Sequence, residues 1–324
     1  MIRHISTKLR EKRNIIKYSL ALIFAVILYM AFLTSAPKSF PKGTVFQISK
    51  NSGLKAVASR LKDQGFVKSS NLFIFYSIIF GGTKSIKAGE YNMETRDSAI
   101  TLAWRLNHAD FGFKQKKITI REGLNHFELT ELLLKYFTKL DKDELLDLTS
   151  KFEGYLYPDT YFWPENITAN NIITDMNSLF KKNTEKIKAE VEKQNINFDK
   201  IIKIASIVEK EAHKDEDRKL IAGILEKRLS INMPLQVDVT FYFIDPNREE
   251  KILIKDTKID SPYNLYKNKG LPPTPICNPS INAILATINP TDSDYLYYLS
   301  DSDGVLHYAK TLDEHNENKY KYLR

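Results

Sequence analysis

The chain has 324 residues, enough for two domains and a sizeable core. Its 27% charged and 43% hydrophobic residues are those of an ordinary globular protein. A net charge of +8 would suit a nucleic-acid-binding protein, but residues 1–17 carry six Lys and Arg residues against one acid, and the rest is close to neutral. We therefore expect no nucleic-acid partner.

An uncharged apolar segment, residues 18–36, follows this basic tail directly. A helix of this length spans about 28 Å, roughly the hydrocarbon thickness of one bilayer. Because the basic residues precede the segment and the linker at 37–43 is much less basic, we expect the tail in the cytoplasm and the remainder outside. A cleaved signal peptide is the alternative, since Ala36 ends a passable cleavage site. The length of the apolar segment favours a retained single-pass anchor.

The first elements after the linker are short strands and helices. We predict strands at 44–49, 86–93 and 116–120, and helices at 54–65, 69–82 and 96–112. Together they have the size of a small βααβ module, residues 44–120.

The remainder of the chain, residues 121–324, begins with helices and then reaches an aromatic loop at 152–164. Helices are predicted at 167–194, 201–213 and 215–236, and a hairpin around the turn at 301–304. Mixed elements without regular βαβ alternation predict an α+β fold.

The sequence lacks the motifs that bind the common metals and cofactors. The six histidines form no HExxH motif, there is no CxxC motif, and Cys277 is the only cysteine, so neither a zinc site nor an internal disulfide is expected. No glycine-rich phosphate loop is present. We therefore expect no metal and no other cofactor.

The predicted helix at 201–213, "IIKIASIVEKEAH", places two glutamates in a wide apolar arc. At about 100° per residue, Glu209 and Glu211 point about 200° apart, each between aliphatic residues. Such a helix is expected to be buried, and desolvation raises the pKa of a carboxyl, as a general acid requires. A salt-bridged or rim glutamate is the alternative, and the pattern does not choose between the two residues.

Carboxyl chemistry is thus the chemistry that remains. Glycosidases usually place two carboxyls about 5–9.5 Å apart, which Glu209 and Glu211 cannot achieve from one helix. Either Glu153, Asp159 or Asp238 is the partner, or one acid suffices because the substrate supplies its own nucleophile.

The aromatic loop suits a sugar substrate. Its flat side chains could stack on pyranose rings, and Glu153 and Asp159 could bind hydroxyls. The alternative is that these aromatic residues simply pack on the core. They are Tyr155, Tyr157, Tyr161, Phe162 and Trp163.

Five ordered stretches carry a family resemblance: "FEGYLYPDTY" (152–161), "IASIVEKEA" (204–212), "RLSINMPLQVDVT" (228–240), "SPYNLYKNKGLPPTPICNPS" (261–280), and "DYLYYLSDSDG" with "HYAKTLDEHN" (294–316). With the basic tail and anchor, they resemble the endolytic murein transglycosylase family, the MltG or YceG-like proteins, over essentially the whole chain.

The resemblance implies a lytic transglycosylase, anchored in the cytoplasmic (inner) membrane, that cuts nascent peptidoglycan strands outside it. It selects Glu209 as the essential acid. Glu209 would protonate the oxygen between N-acetylmuramic acid and N-acetylglucosamine, then deprotonate the muramic C6 hydroxyl, which closes onto C1 as a 1,6-anhydro end. Glu211 would orient the site or have a structural role. Cell-wall synthases are the implied partners.

The matched motifs also nominate residues for the glycan cleft, each with a scaffold role as the alternative: Gln236, Asp238, Tyr263, Asn264 and Tyr266. Further nominated substrate-binding residues are Glu153, Tyr157 and Asp159 from the aromatic loop, and Glu211. The resemblance further implies a LysM-like identity for the module at 44–120 and a catalytic domain at 121–324.

Two residues depart from the family motifs. Val239 replaces a proline and Ser280 replaces a glycine. We expect both to affect local loop geometry and neither to touch Glu209. Two other functions stay open: a hydrolase that admits water and leaves reducing ends, and an anchored glycan-binding scaffold with little turnover.

Overall fold

The computed structural model describes the backbone of residues 2–82, 86–248, 250 and 252–323, with side chains from position 16 onward. The chain forms two compact units, Met1–Lys114 and Gln115–Arg324. Both contain helices and short antiparallel strands, so the α+β prediction is confirmed. The predicted basic tail, 1–17, falls almost wholly at positions whose side chains are outside the description.

The first unit begins with a long helix and continues as a small mixed module. Its elements are α1 (Ile2–Thr34), β1 (Thr44–Ile48), α2 (Leu54–Asp63), α3 (Ser70–Gly81), β2 (Gly89–Met93) and α4 (Ala99–Asn107). Within α1, Ile16–Thr34 is apolar and long enough to cross a membrane, and all of it except its last residue, Thr34, lies outside the buried core. This agrees with the apolar segment predicted at 18–36.

In the sequence of the first unit, the helices α2 and α3 lie between the two strands. β1 and β2 pair antiparallel, with Thr44 opposite Met93 and Ile48 opposite Gly89. Alternate strand residues, including Phe46 and Tyr91, are fully buried against the helices. The strand–helix–helix–strand order is therefore that of the predicted module.

The second unit contains the remaining elements. They are β3 (Gln115–Thr119), α5 (His126–Tyr136), α6 (Lys142–Lys151), β4 (Thr160–Pro164), α7 (Ala169–Lys193), α8 (Phe198–Glu211), α9 (Asp215–Ser230), α10 (Val239–Ile244), a 3₁₀ turn (Asp256–Lys258), α11 (Ile281–Ile288), β5 (Tyr297–Ser300), β6 (Leu306–Ala309) and α12 (Leu312–Tyr322).

The third predicted strand belongs to this second unit. β3 pairs antiparallel with β4, with Ile118 opposite Tyr161. The reason is burial: Ile118 is fully enclosed in a core that also contains Tyr161 and Trp163. The sequence pattern groups this strand with the module at 44–120, whereas in the structure it pairs with a strand of the second unit.

Helix α8 is the centre of the second unit. Asn197 caps its N-terminus by accepting hydrogen bonds from the backbone of Asp199 and Lys200. Every residue from Ile204 to Glu209 is buried, and α8 packs against α9, α10 and α11. The predicted burial of this helix is confirmed, and it places both glutamates at the edge of a rigid core.

Candidate functional site

Glu209 lies in the last turn of α8 and is 8% exposed. Its Oε1 accepts a hydrogen bond from Arg218 Nη2 at 3.2 Å. Its Oε2 accepts two, from the backbone N–H of Ser280 at 2.9 Å and from the Ser280 hydroxyl at 2.5 Å. The donors compensate for the removal of the carboxyl from water and hold it in one orientation.

The groups that hold Glu209 come from two other helices. Arg218 lies in the first turn of α9, where its Nη1 also donates to Asp215 at 3.1 Å. Ser280 is the N-cap of α11, and its hydroxyl accepts from the backbone of Ala283 at 3.1 Å. The expectation that Ser280 does not touch Glu209 is wrong, because α11 brings this cap directly onto the end of α8.

A cavity of about 680 Å³ opens beside Glu209. Its wall consists of the end of β3 with the turn after it, the Pro158–Thr160 segment, the end of α8 and the start of α9. The ionisable residues on this wall are Arg121, Glu122, Asp159, Glu209, Lys210, His213 and Arg218. The cavity therefore offers both hydrogen-bond acceptors and cations around the buried carboxyl.

Two wall segments are held by backbone contacts. The turn after β3 is fixed at Gly123, whose N–H donates to the carbonyl of Asn278 at 2.9 Å. Gly123 has φ +76°, and a Cβ there would stand 3.6 Å from Glu209 Cγ. Asp159 accepts from the N–H of Ile120 through its carbonyl at 2.9 Å, which ties it to β3. Among the nominated cleft residues, Asp159 is the one that lines the same cavity as Glu209.

Glu122 is a carboxyl of this cavity that the sequence analysis missed. Burial raises the pKa of Glu122, the negative charge of Glu209 raises it further, and the positive charge of Arg218 opposes both. Arg218 was missed as well. Its signal was an arginine inside an acidic first helical turn, a position where the helix dipole disfavours a cation.

Glu211 faces a second cavity, of about 600 Å³. Burial raises the pKa of Glu211 to about 7, and the charge of Asp238 adds to the rise. A hydrogen bond from Tyr298 and the charge of Arg228 act in the opposite direction. The prediction that desolvation raises a carboxyl pKa on this helix thus holds for Glu211.

Three nominated cleft residues lie with Glu211 rather than with Glu209. Gln236, Asp238 and Tyr266 line this second cavity, and the Tyr266 hydroxyl donates to Asp238 Oδ1 at 2.6 Å. Glu209 and Glu211 line different cavities, which agrees with the angle of about 200° that the periodicity predicts between them.

Comparison with known proteins identifies the family of the chain. The model of the YceG-like family matches residues 46–321. The chain belongs to the YceG-like family. The resemblance carried by the five stretches is thereby confirmed.

Relatives of this YceG-like protein include two bacterial proteins named endolytic murein transglycosylase. The one from Bacillus subtilis (strain 168) is 31% identical over 330 residues, covering 93% of this chain and 91% of the relative. The one from Streptococcus pneumoniae serotype 2 (strain D39) is 31% identical over 318 residues, and the match spans 85% of this chain but 58% of that longer protein.

A solved structure shares the fold. The 2.6 Å crystal structure of a yceG-like protein from Listeria monocytogenes superposes with a TM-score of 0.59 at 30% identity. The match covers 85% of this chain and 98% of that one.

Two nominated residues of the YceG-like protein lie outside both cavities, in the aromatic region. Glu153 is 3% exposed, and its Oε2 accepts from the backbone N–H of His126 at 2.8 Å and contacts Nδ1 of the same residue at 2.5 Å. The Tyr157 carbonyl accepts from the Tyr161 hydroxyl at 2.7 Å. Tyr161 and Trp163 are buried and stacked at 4.5 Å, so they pack on the core instead of facing a sugar.

Two further nominated residues hold a loop. Asn264 is fully buried, and its amide donates to the carbonyls of Thr257 at 3.0 Å and Ile259 at 2.8 Å. The Tyr263 hydroxyl is hydrogen-bonded to Thr274 Oγ1 at 2.8 Å. These contacts fit the scaffold alternative, and a direct role in glycan binding stays a prediction.

The described part of the chain contains no group of three or more His, Cys, Asp or Glu side chains placed to hold a metal ion. Cys277 is buried, its Sγ donates to the Ser206 carbonyl at 3.2 Å, and burial raises its pKa well above the ordinary value. Such a thiol is a packing residue.

Proposed function

We propose that this chain is an endolytic peptidoglycan lytic transglycosylase with Glu209 as its catalytic carboxyl. The observation that carries the proposal is a buried, rigidly held glutamate on the wall of a 680 Å³ cavity, at the motif position selected by the family resemblance. The relatives named endolytic murein transglycosylase support the activity, the Bacillus subtilis protein over 91% of its length. The enzyme class is a carbon–oxygen lyase acting on a polysaccharide.

The proposed reaction needs one proton and no water. Glu209, a carboxylate among its three donors, first takes up a proton. It then gives this proton to the oxygen that links C1 of N-acetylmuramic acid to N-acetylglucosamine, and the C1–O bond breaks. The muramic C6 hydroxyl then attacks C1 and passes its proton to the Glu209 carboxylate. The products are a free N-acetylglucosamine 4-hydroxyl and a 1,6-anhydro-muramyl end, and Glu209 is protonated again.

The protein groups around Glu209 would serve this reaction by position. Arg218 and the two donors of Ser280 keep the carboxyl in one orientation, which a group that both gives and takes a proton requires. Lys210 and His213 at the cavity edge would bind hydroxyl or carboxylate oxygens of the glycan. Glu211 would act through the second cavity, as an orienting or structural residue.

The membrane arrangement is also a proposal. We propose that α1 crosses the cytoplasmic membrane once, with residues 1–17 in the cytoplasm and the catalytic domain, 121–324, outside. The apolar stretch Ile16–Thr34 supports one crossing. The strand–helix–helix–strand order after the linker supports a LysM-like module within 44–120. The proposed partners are glycan strands and cell-wall synthases.

The test compares wild-type and Glu209→Gln proteins on un-crosslinked glycan strands, with mass spectrometry of the products. Glutamine is nearly isosteric and carries no transferable proton, so anhydro-muramyl ends should appear with wild type and disappear with the variant. Glu216→Gln, an exposed position on α9 outside both cavities, is the matched control and should behave as wild type. Anhydro ends from Glu209→Gln would disprove the assignment.

A hydrolase is the second candidate, because Glu122 and Asp159 share the cavity with Glu209. A second carboxyl can activate water in a glycosidase. The same products decide between the two: reducing ends that incorporate oxygen from labelled water would replace the lyase by a hydrolase.

A further inference from the structure

Helix α3 exposes an apolar face. Its sequence, SNLFIFYSIIFG, contains no charged residue. On the outer side Phe75 is 55% exposed, Ile78 47% and Ile79 61%, while Phe73 and Ser77 are buried in the module. A helix that is apolar on all sides is expected within a core or a membrane, and a contiguous exposed apolar patch marks an interaction surface.

The same helix is attached to the end of the apolar stretch of α1. The Tyr76 hydroxyl is hydrogen-bonded to Thr34 Oγ1 at 3.1 Å. Just before α3, Lys68 Nζ donates to the Phe32 carbonyl at 2.7 Å and lies 3.7 Å from the centroid of the Phe32 ring. Thr34 is the last residue of the membrane-length stretch, so both contacts are at its outer end.

This attachment sets the position of the apolar face of α3 along the membrane normal. Phe75 and Ile79 are within three residues of Tyr76, which is about 4.5 Å along a helix axis. Lysine and tyrosine at that level are the residue types that occupy membrane interfaces, where an apolar stem or ring lies in lipid and the polar end in water. A helix that lies in the interface at this level buries its lipid-facing apolar side about 5–10 Å deep.

We propose that Phe75, Ile78 and Ile79 lie in the outer interface of the bilayer that α1 crosses, with lipid as the occupant of this face. The continuity between this face and the lipid-length surface of α1 favours lipid over a second copy of the chain. The inference rests on the proposed membrane crossing and is independent of the enzymatic activity. Its consequence is that the first unit is fixed to the membrane surface by two elements.

The test measures lipid contact of single cysteines in the full-length chain, reconstituted in lipid nanodiscs. Phe75→Cys and Ile79→Cys carry an environment-sensitive fluorophore, and the quencher is a lipid with a nitroxide on its acyl chain. Both side chains are exposed, so the substitutions leave the core intact. The unmodified chain is the blank, because its Cys277 is buried.

Two further labels make the outcomes distinct. Lys50→Cys, exposed in the turn between β1 and α2 and at the end of β1 away from the linker, is the matched control. Val26→Cys, inside the apolar stretch, reports the membrane crossing itself. We expect quenching at 75 and 79 at least threefold stronger than at 50.

Each other outcome overturns a defined statement. Strong quenching at 26 with weak quenching at 75 and 79 refutes the lipid contact of α3. Weak quenching at 26 refutes the crossing on which it rests. Loss of lipid quenching together with crosslinking between two labelled chains would assign the face to a second copy.

Discussion

The hydroxyl of Ser280 provides the sharpest test of how the candidate site is built. It donates to Glu209 Oε2 at 2.5 Å and accepts from the Ala283 N–H at 3.1 Å as the cap of α11. Ser280→Gly removes both bonds and keeps the backbone N–H that also donates to Glu209. Ser280 has φ −68° and ψ 161°, so Ser280→Ala removes the same hydroxyl without backbone strain.

The magnitudes follow from the two bonds. A hydrogen bond to a buried charged group contributes about 1.5–3 kcal/mol. Replacing a serine cap costs a few tenths of a kcal/mol with glycine and about 1 kcal/mol with alanine. We expect Ser280→Gly to destabilise the second unit by about 2 kcal/mol and Ser280→Ala by about 3 kcal/mol. At about 2–4 °C per kcal/mol, the melting temperature falls by about 4–8 °C and 6–12 °C.

The same change in a Glu209→Gln background isolates the bond to the carboxyl. A bond to a neutral amide contributes only about 0.5–1.5 kcal/mol, so Ser280→Gly should then cost about 1 kcal/mol. The assay is thermal unfolding followed by tryptophan fluorescence, with Trp104→Phe so that the buried Trp163 reports the second unit alone. Equal losses in both backgrounds would refute the reasoning, because the effect would then come from the helix cap.

Three further predictions concern charge and packing. For Glu211, whose pKa is raised from 4.5 to about 7, the neutral form is preferred in the folded state. Protonated Glu211 therefore contributes its full stabilisation below pH 4.5, and this contribution is lost as the pH rises through about 7. Glu211→Gln should make the melting temperature less dependent on pH over that range. Glu209→Gln should lower the pKa of Glu122, because it removes a neighbouring negative charge; an unchanged NMR titration midpoint would contradict this. Gly223→Ala would place a Cβ 2.2 Å from a backbone carbonyl oxygen and should destabilise the second unit by about 1–3 kcal/mol or more in urea denaturation. Gly53→Ala meets nothing within 4 Å, so it should cost the first unit no more than about 1 kcal/mol, the cost of alanine at the N-cap of α2.

Much of the local structure was predictable from the sequence. The burial of α8 follows from its apolar arc. The divergence of Glu209 and Glu211 into two cavities follows from helical geometry alone. These are properties of neighbouring residues, so they do not depend on how the rest of the chain packs.

Pairing and proximity across the chain were not predictable in the same way. The strand at 115–119 was recognised, but its partner β4 is selected by burial of Ile118 among the aromatic residues of a shared core. The nominated cleft residues Gln236, Asp238 and Tyr266 were recognised by motif, yet they line the cavity of Glu211. A motif shows which residues occur together in the sequence, but it does not predict which cavity their side chains line.

The sequence by itself determined the membrane-length helix, the α+β character and the directions of the two glutamates, because periodicity and composition act over one helix or strand. The family followed from the resemblance of five ordered stretches, which is also a property of the sequence alone. The tertiary structure decided which groups hold Glu209. Ser280 reaches it from 71 residues away and Glu122 enters its cavity from another element. Only the packing of α9, α11 and the turn after β3 around the end of α8 brings these groups together, since no local pattern encodes a contact between distant segments.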